Sequence, residues 1–318
     1  MLMIPLFDLH CDTPYKLLGP NLNERLSLLE NTFHIDLKRA CRYGSYAQCF
    51  ACYTSDIEHY PNGLTPADVF SREFACIIDQ IEKNSDKIGL ARNASEILLN
   101  AEKGKLSAIL TLEGTAGIHY DPAALQDLRS KGFLITTLGW NERNPLTGSH
   151  CTGGGLTALG KIFVQEAQRS GMIVDVSHIS DEGFWDIMDI TSAPVIASHS
   201  NSRSVYPVTR NITDEMFMAI CQTGGIVGIN LFSDFLGEAA DIDTVCDHIF
   251  YFLSLDHTGK HVALGGDLDG CKILPDGFTG VESYSLLADR LIRRGLSLDT
   301  VKDIFWNNAM GVITECCT

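Results

Sequence analysis

The chain has 318 residues, 45% of them hydrophobic and 20% charged, which is the composition of a globular protein with a substantial core. Forty acidic residues against 24 basic residues give a formal net charge of -16. This balance argues against nucleic acid and anionic membranes as partners, because both require a basic protein surface.

Eleven cysteines are scattered along the chain without a repeated spacing, which predicts free thiols rather than a disulfide framework. Cys49 and Cys52 form a CxxC pair in an apolar run, but no second pair lies at a zinc-ribbon spacing, so buried thiols are the favoured interpretation. The N-terminal stretch has no basic region and only a short apolar run, which predicts neither a signal peptide nor a membrane span. We therefore expect a cytoplasmic protein.

Short apolar runs recur along the chain, each closed by a polar residue or a glycine, and segments with helical spacing separate them. Eight runs predict strands, at residues 4–10, 45–53, 106–114, 132–140, 172–178, 193–200, 225–232 and 261–267. Helices are predicted at residues 65–83, 155–170, 181–190, 214–222 and 241–255.

Strands that are apolar on both faces and alternate with helices are typical of a parallel sheet covered by helices. The count of eight favours a closed (β/α)₈ TIM barrel over an open doubly wound sheet. Because no repeat or linker marks a boundary, residues 1–318 are predicted to form a single barrel domain.

Polar side chains close several of these runs at the carboxyl end. Taken singly, such a histidine is more often a turn residue and such a carboxylate a helix cap. In a (β/α)₈ barrel, however, these strand ends all meet on one rim, where the active sites of this fold lie. The residues concerned are His10 and Asp12 after the first run, Glu113 in the third, His178 in the fifth, His199 in the sixth and Asp267 in the eighth.

Three histidines and three carboxylates on one rim would be a costly cluster of like charge unless cations neutralise it. Imidazole and carboxylate ligands together are typical of zinc. Five ligands can serve two ions if Glu113 bridges one ion held by His10 and Asp12 and a second held by His178 and His199. Two such ions lower the pKa of a shared water and polarise the group that it attacks. The pattern therefore predicts two Zn²⁺ per chain and hydrolytic chemistry.

At these residues the chain resembles the membrane dipeptidase (renal dipeptidase) family of dinuclear zinc peptidases. The resemblance covers nearly the whole chain, and the string HxD, LEG, VSH, SHSN and GxDxDG is specific. It implies a (β/α)₈ barrel with two zinc ions bound by the same five ligands. The matching segments, in the family's order, include DLHCDTP (8–14), TLEG (111–114), GMIVDVSHIS (171–180), APVIASHSNSR (193–203), LGGDLDG (264–270) and WNNAMGV (306–312).

The resemblance also implies roles for two further residues. Arg210 matches an arginine that binds the C-terminal carboxylate of the substrate, as a planar guanidinium can do with two hydrogen bonds. An ordinary surface ion pair is the alternative for this residue. Asp267 matches a residue that transfers a proton near the bridging water. A helix cap is its alternative, and Asp269 is the competing candidate.

One position departs from the family pattern. In the renal enzymes the fourth strand ends in a histidine that contacts the substrate, and here Trp140 stands in its place. A tryptophan can donate only through its indole N–H and otherwise adds an apolar wall. Trp140 is therefore expected to bind substrate, and polarisation of the carbonyl is left to the metal, Asn141 or His150.

The resemblance implies a zinc-dependent dipeptidase that attacks dipeptides with a metal-bridging hydroxide and tolerates a C-terminal D-residue, with Glu113 and Asp267 acting in catalysis. The chain resembles a microbial-type cytoplasmic member of the family, since the secretory signal and the anchoring tail of the renal enzymes have no counterpart in it. A homodimer stays open. The alternatives are a barrel metallohydrolase for another amide, a lactam or an ester, and a non-catalytic binding barrel. Thiol catalysis through Cys11 or Cys151 is a weaker one.

Overall fold

The computed structural model describes residues 4–317 of the chain. Its strands are short and mostly buried, and the pairings between them are parallel. Their bounds are β1 (Leu6–Cys11), β2 (Tyr46–Tyr53), β3 (Ile88–Leu90), β4 (Leu106–Glu113), β5 (Phe133–Thr137), β6 (Ile173–Asp175), β7 (Val195–Ile196), β8 (Val227–Ile229) and β9 (Val262–Leu264).

Helices follow most of the strands and surround the sheet. Their bounds are α1 (Thr13–Leu17), α2 (Leu37–Ala40), α3 (Pro66–Lys83), α4 (Ala94–Glu102), α5 (Ala124–Lys131), α6 (Ala158–Arg169), α7 (Asp181–Met188), α8 (Asp214–Gln222), α9 (Ser233–Leu236), α10 (Ile242–Leu255), α11 (Tyr284–Arg293), α12 (Leu298–Lys302) and α13 (Asn308–Cys316). A π-helical turn, Asp303–Asn307, joins the last two helices.

Eight of the strands form the barrel, in the spatial order β7, β6, β5, β4, β2, β1, β9, β8. A parallel bridge between Ala197 and Val227 brings the two ends of this order together. The predicted (β/α)₈ barrel is therefore confirmed, as a nearly closed barrel of eight parallel strands surrounded by helices.

Each of the eight predicted runs contains one barrel strand, although the later strands are shorter than predicted. The strand that lies outside the barrel, β3, was not predicted. It pairs with residues 106–108 of β4 outside the barrel, and only one of its three residues is fully buried. Its run without polar residues, from Ile88 to Ala91, is shorter than the runs that predicted the other strands.

Alternate residues of the strands pack on opposite sides of the sheet, as the pleat requires. Leu6 and Leu110 join the cluster shared with the surrounding helices. Phe7 and Ile109 belong to a second buried cluster that includes Trp306, whose ring centroid lies 5.8 Å from that of Phe7. Because both faces of each strand are buried, the strand ends are positioned rigidly, and these ends carry the predicted site.

All five predicted helices are present, with ends that differ by a few residues from the sequence pattern. The start of α3 is fixed by a capping box, in which Thr65 accepts a hydrogen bond from the Asp68 backbone and the Asp68 side chain accepts one from the Thr65 backbone. The other eight helices were not predicted, namely α1, α2, α4, α5, α9, α11, α12 and α13.

The eleven cysteines are all unpaired. Within residues 4–317, no helix combines the length and the apolar character that crossing a membrane requires.

Candidate metal centre

The carboxyl ends of the strands bring all the predicted metal ligands to one place. His10 lies near the end of β1, Glu113 is the last residue of β4, and Asp12 directly precedes α1. The others follow β6, β7 and β9. We call the residues His10, Asp12, Glu113, His178, His199 and Asp267 the rim cluster. Within residues 4–317, every group of three potential metal-ligating side chains lies in this cluster.

The two carboxylate oxygens of Glu113 contact different halves of the cluster. Its Oε2 lies 3.2 Å from Nε2 of His10, and its Oε1 lies 3.1 Å from Nε2 of His178 and 3.8 Å from Nε2 of His199. Asp12 completes the first half, with Oδ2 3.7 Å from Nε2 of His10. Two groups of potential ligands, one with His10 and Asp12 and the other with His178 and His199, therefore share one carboxylate.

Hydrogen bonds fix the ring orientation of His199. The hydroxyl of Ser198 donates to Asp175, so its oxygen can accept the proton of Nδ1 of His199 at 2.6 Å. The Asp175 carboxylate also accepts from the Ser198 backbone at 2.9 Å. With its proton on Nδ1, His199 presents a bare Nε2 to the rim cluster, as a metal-ligating histidine must.

His178 is oriented in the same sense by Asn141, whose Oδ1 lies 3.0 Å from Nδ1 of the imidazole. The two Nε2 atoms of His178 and His199 then face each other at 2.9 Å. Two lone pairs at this separation repel each other unless a cation lies between or beside them. The donor set thus fits a divalent ion on this side of Glu113.

The other half of the cluster has its own unpartnered atoms. Nε2 of His10 and Oδ1 of Asp12 are buried and have no hydrogen-bond partner among the described residues. Buried polar atoms are almost always paired, so two orphans that converge with Glu113 indicate a missing ligand. Imidazole and carboxylate donors fit a second divalent ion there.

Burial shifts the pKa values of four residues of the rim cluster. Burial lowers the pKa of both His178 and His199, so both rings are neutral, which is the form that binds metal. Burial and the charge of Glu113 raise the pKa of Asp12 to about 6. Burial and the charge of Asp12 raise that of Asp267 to about 8. Bound cations would favour the ionised carboxylates.

Backbone strain also concentrates at this rim. His178, Asp267 and Asp269 have positive φ angles of 71°, 54° and 71°. Side chains other than glycine adopt this conformation rarely, and it persists where surrounding contacts enforce it, often at functional sites. No sequence pattern predicted it at these three positions.

Arg210 is buried beside the rim cluster, with 4% of its surface exposed. Its Nη1 donates to Oγ of Ser200 at 2.9 Å, and its guanidinium carbon lies 5.7 Å from the ring centre of Phe235. Nε and Nη2 have no hydrogen-bond partner among the described residues. A buried guanidinium with two free donors is not an ordinary surface ion pair, and it is suited to an anionic ligand.

The two aspartates after β9 have different environments. Asp269 accepts hydrogen bonds from Oγ1 of Thr13 at 2.6 Å and from the His34 backbone at 2.7 Å, so it holds two loops together. Asp267 groups with the ligand atoms of His10 and His199. In the described chain the next helical turn after Asp267 begins at Val281, so the helix-cap alternative for this residue does not hold.

A cavity of about 460 Å³ opens onto the rim cluster. Trp140 lies in its wall and makes an edge-on contact with Tyr53, with ring centres 5.1 Å apart. The nitrogen atoms of His150 are engaged elsewhere, with Nε2 2.8 Å from Oδ1 of Asn141 and Nδ1 3.3 Å from Oγ1 of Thr209. The geometry therefore does not favour His150 as a group that polarises a substrate carbonyl. Other lining residues are Tyr15, Lys16, Glu58, Phe232, Phe235 and Lys272.

The two cysteines considered as nucleophiles lack the surroundings of a reactive thiolate. Cys11 belongs to the buried core shared with the helices, and burial raises its pKa well above the usual range. Cys151 is exposed, and partial burial still raises its pKa. Both thiols are held in the unreactive protonated form.

Sequence reasoning missed the residues that orient the histidines, namely Asp175, Ser198 and Asn141 as a hydrogen-bond acceptor. Asp175 directly precedes the VSH motif, and Ser198 is the first residue of the SHSN motif. A polar residue in an otherwise apolar run was the available signal. The contacts of Asp175 with Ser198 and of Asn141 with His178 join separate segments of the chain, so no local pattern shows which histidine is supported.

Comparisons with known proteins identify relatives over the whole chain. The sequence profile of the family described as membrane dipeptidase (peptidase family M19) matches residues 1–317. An uncharacterized dipeptidase of Schizosaccharomyces pombe is 31% identical over 230 residues, which span 70% of this chain and 56% of that protein. The chain thus matches little more than half the length of this relative.

Two solved structures share the fold. A metallopeptidase described as dipeptidase AC of family M19 superposes with a TM-score of 0.89 at 25% identity, over 99% of both chains. A Rhodobacter sphaeroides metallopeptidase, solved with a phosphinate mimic of the dipeptide L-Ala-D-Ala, superposes with a TM-score of 0.88 at 24% identity, over 99% of this chain and 100% of that one.

Proposed function

The chain belongs to the membrane dipeptidase family (peptidase family M19), and from this we propose that it is a zinc-dependent dipeptidase whose reaction takes place at the rim cluster. The observation that carries the proposal is the position of Glu113 between two sets of potential ligands. The first set has unpartnered atoms on His10 and Asp12, and in the second the Nε2 atoms of His178 and His199 face each other at 2.9 Å. A buried arginine with free donors lies beside them. The groups needed for hydrolysis, in the rim cluster, and the group suited to bind a short anionic substrate, Arg210, therefore lie side by side.

We assign the metal ligands as the sequence predicted. His10 and Asp12 would hold one ion, His178 and His199 the other, and Glu113 would bridge them. Bound together, two zinc ions would supply Lewis acidity and a shared water acidic enough to attack as hydroxide near neutral pH. Support for zinc comes from the mixture of neutral imidazoles and carboxylates without a thiolate.

Asp267 is the proposed proton carrier. Its carboxylate lies close to the ligand atoms of His10 and His199, and Nδ2 of Asn230 donates to its Oδ2 at 3.2 Å. From this position it would accept a proton from the attacking water and return it to the leaving amine. Catalysis would thus depend on Asp267 for proton transfer and on Glu113 for alignment of the two ligand sets.

Arg210 is the proposed substrate anchor. Its free Nε and Nη2 are suited to a carboxylate, which a guanidinium binds with two parallel hydrogen bonds. Fixing the terminal carboxylate at one distance from the ligands would favour dipeptides over longer peptides. Trp140 would line the cavity as an apolar wall. Tolerance of a C-terminal D-residue follows from the family resemblance and belongs to this proposal.

The proposal also includes the cellular compartment and the partners of the protein. A reducing cytoplasm is supported by eleven unpaired cysteines. The net charge of -16 does not favour nucleic acid or an anionic membrane as a partner. The rival that acts on another amide, a lactam or an ester would share the metal chemistry but would not need Arg210.

The proposal is tested by a panel of L,L and L,D dipeptides, with the same dipeptides amidated at the C-terminus and matching tripeptides as comparators. We expect hydrolysis of dipeptides with a free carboxylate, loss of activity with a chelator, and recovery with zinc. Equal rates on the amidated compounds would favour the rival metallohydrolase. No hydrolysis of any compound by protein that holds two metal ions would contradict the assignment as a dipeptidase.

A further inference from the structure

The loop between β5 and α6 contacts His178 through both its backbone and its ring. The His150 backbone N–H donates to the His178 carbonyl at 2.8 Å, and Ser149 forms an isolated bridge with Ile179. Oδ1 of Asn141 lies 3.0 Å from Nδ1 of His178. This loop therefore contacts the backbone and the ring of His178, the histidine of the rim cluster with a positive φ, at 71°.

The hydrogen bonds of this loop determine which way the Asn141 amide faces. If Nε2 of His178 is to bind a metal ion, its proton must lie on Nδ1, and the atom that faces Nδ1 must be an acceptor. Oδ1 of Asn141 meets this need and is also 2.8 Å from Nε2 of His150. Nδ1 of His150 lies 3.3 Å from Oγ1 of Thr209 and can accept from that hydroxyl, which leaves the ring proton on Nε2, where it can donate to Oδ1 of Asn141.

The loop itself is anchored independently of these two rings. Oγ of Ser149 donates to the Asn141 carbonyl at 2.7 Å, and Ser149 and Thr152 contact each other through backbone and side chain. Asn141 is thus held at the correct distance before any metal binds. His199 receives the equivalent support from Asp175, the last residue of β6, and from Ser198, which follows β7 by two residues.

We infer that Asn141, held by His150, is a positioning residue that sets the tautomer and the orientation of His178 toward the metal ion shared with His199 and Glu113. This inference rests on the proposed function, since it presumes the metal centre. It adds a contribution from a loop residue that is not itself a ligand. Losing such an acceptor typically weakens metal binding by roughly 10–100-fold.

The test compares Asn141→Leu with Asn144→Leu. Asn144 lies in the same loop, and its amide contacts only backbone groups of that loop, from Leu138, Leu146 and Thr147. Both changes remove one amide of the same size, so a general loosening of the loop would affect both alike. Zinc content is measured by elemental analysis across a series of chelator concentrations, and the melting temperature of the metal-free protein is recorded for each variant.

We expect wild-type protein and Asn144→Leu to keep two ions at chelator concentrations where Asn141→Leu has lost one, a difference of about 10–100-fold in affinity. Asn141→Asp retains the acceptor and should keep both ions. Equal zinc retention by wild type and Asn141→Leu would overturn this inference alone, and so would an equal loss in the two leucine variants. A wild-type protein that binds fewer than two ions would overturn the proposed function and this inference with it.

Discussion

Arg210 is costly to bury in the absence of a ligand. Burial and the surrounding ring of Phe235 remove its guanidinium from water, while Nε and Nη2 gain no partner in return. Asp267, Asp175 and Glu113 lie near enough to favour its charged form. Such an arrangement persists in a folded protein when a ligand or a nearby field compensates the charge.

Replacing Arg210 by alanine should raise KM for dipeptides with a free C-terminal carboxylate and leave kcat less affected. Hydrogen bonds between charged groups contribute about 1.5–3 kcal/mol, so kcat/KM should fall by roughly 10–100-fold. Steady-state kinetics on a free and an amidated dipeptide measure this. Arg169→Ala is the matched control, because Arg169 is largely exposed and pairs with Glu166 within α6. An unchanged KM in the Arg210 variant would remove its proposed role.

Asp267 and Asp269 can be separated by the same kind of comparison. Asp267→Asn keeps the size of the side chain and removes its ability to accept a proton. We expect kcat to fall by about 10²–10⁴-fold with two ions still bound. Asp269→Asn should chiefly lower the melting temperature, because Asp269 joins Thr13 to His34. If the two variants exchanged these effects, Asp269 would be the proton carrier.

At the scale of secondary structure, the joint between β7 and β8 depends on glycine. A Cβ at Gly265 would lie 1.7 Å from the Ser198 carbonyl oxygen, and one at Gly228 would lie 2.0 Å from it. Neighbouring strands can therefore approach the backbone of Ser198, the residue next to the ligand His199. The close approach lies where β7 meets β8, next to the bridge from Ala197 to Val227.

Gly265→Ala should destabilise the protein by at least about 1–3 kcal/mol, since the added methyl group overpacks a backbone contact that cannot yield. Thermal unfolding of the metal-free protein measures the change. Gly311→Ala is the control, because Gly311 lies in α13 with open space at the Cβ position. That variant should be neutral or more stable by up to about 1 kcal/mol. Similar melting temperatures for the two variants would contradict the packing argument.

The barrel could be predicted because each strand is apolar on both faces and closes with a polar residue or glycine. The rim cluster followed, because parallel strand ends must meet on one face. Asn141 could not be assigned its contact with His178, because that contact joins a loop to a strand end 37 residues away. The free donors of Arg210 could not be predicted either, since its burial depends on how its loop packs against the segments that carry Ser200 and Phe235.

At the scale of the whole molecule, the proposed ligands connect distant parts of the chain. They lie between residues 10 and 199 and come from the ends of four barrel strands, β1, β4, β6 and β7. Three of the forty acidic residues belong to the rim cluster. Two divalent ions would add four positive charges to the formal charge of -16 and bring it to about -12. Because the proposed ligands come from the ends of four strands, metal binding should hold these strand ends together.

The most direct test is a zinc titration of metal-depleted protein with a dipeptide as substrate and elemental analysis at each point. We predict that activity is absent without metal and rises until two zinc ions are bound per chain, because Glu113 aligns two ligand sets. Full activity in the metal-depleted protein, or a plateau at one bound ion, would contradict it.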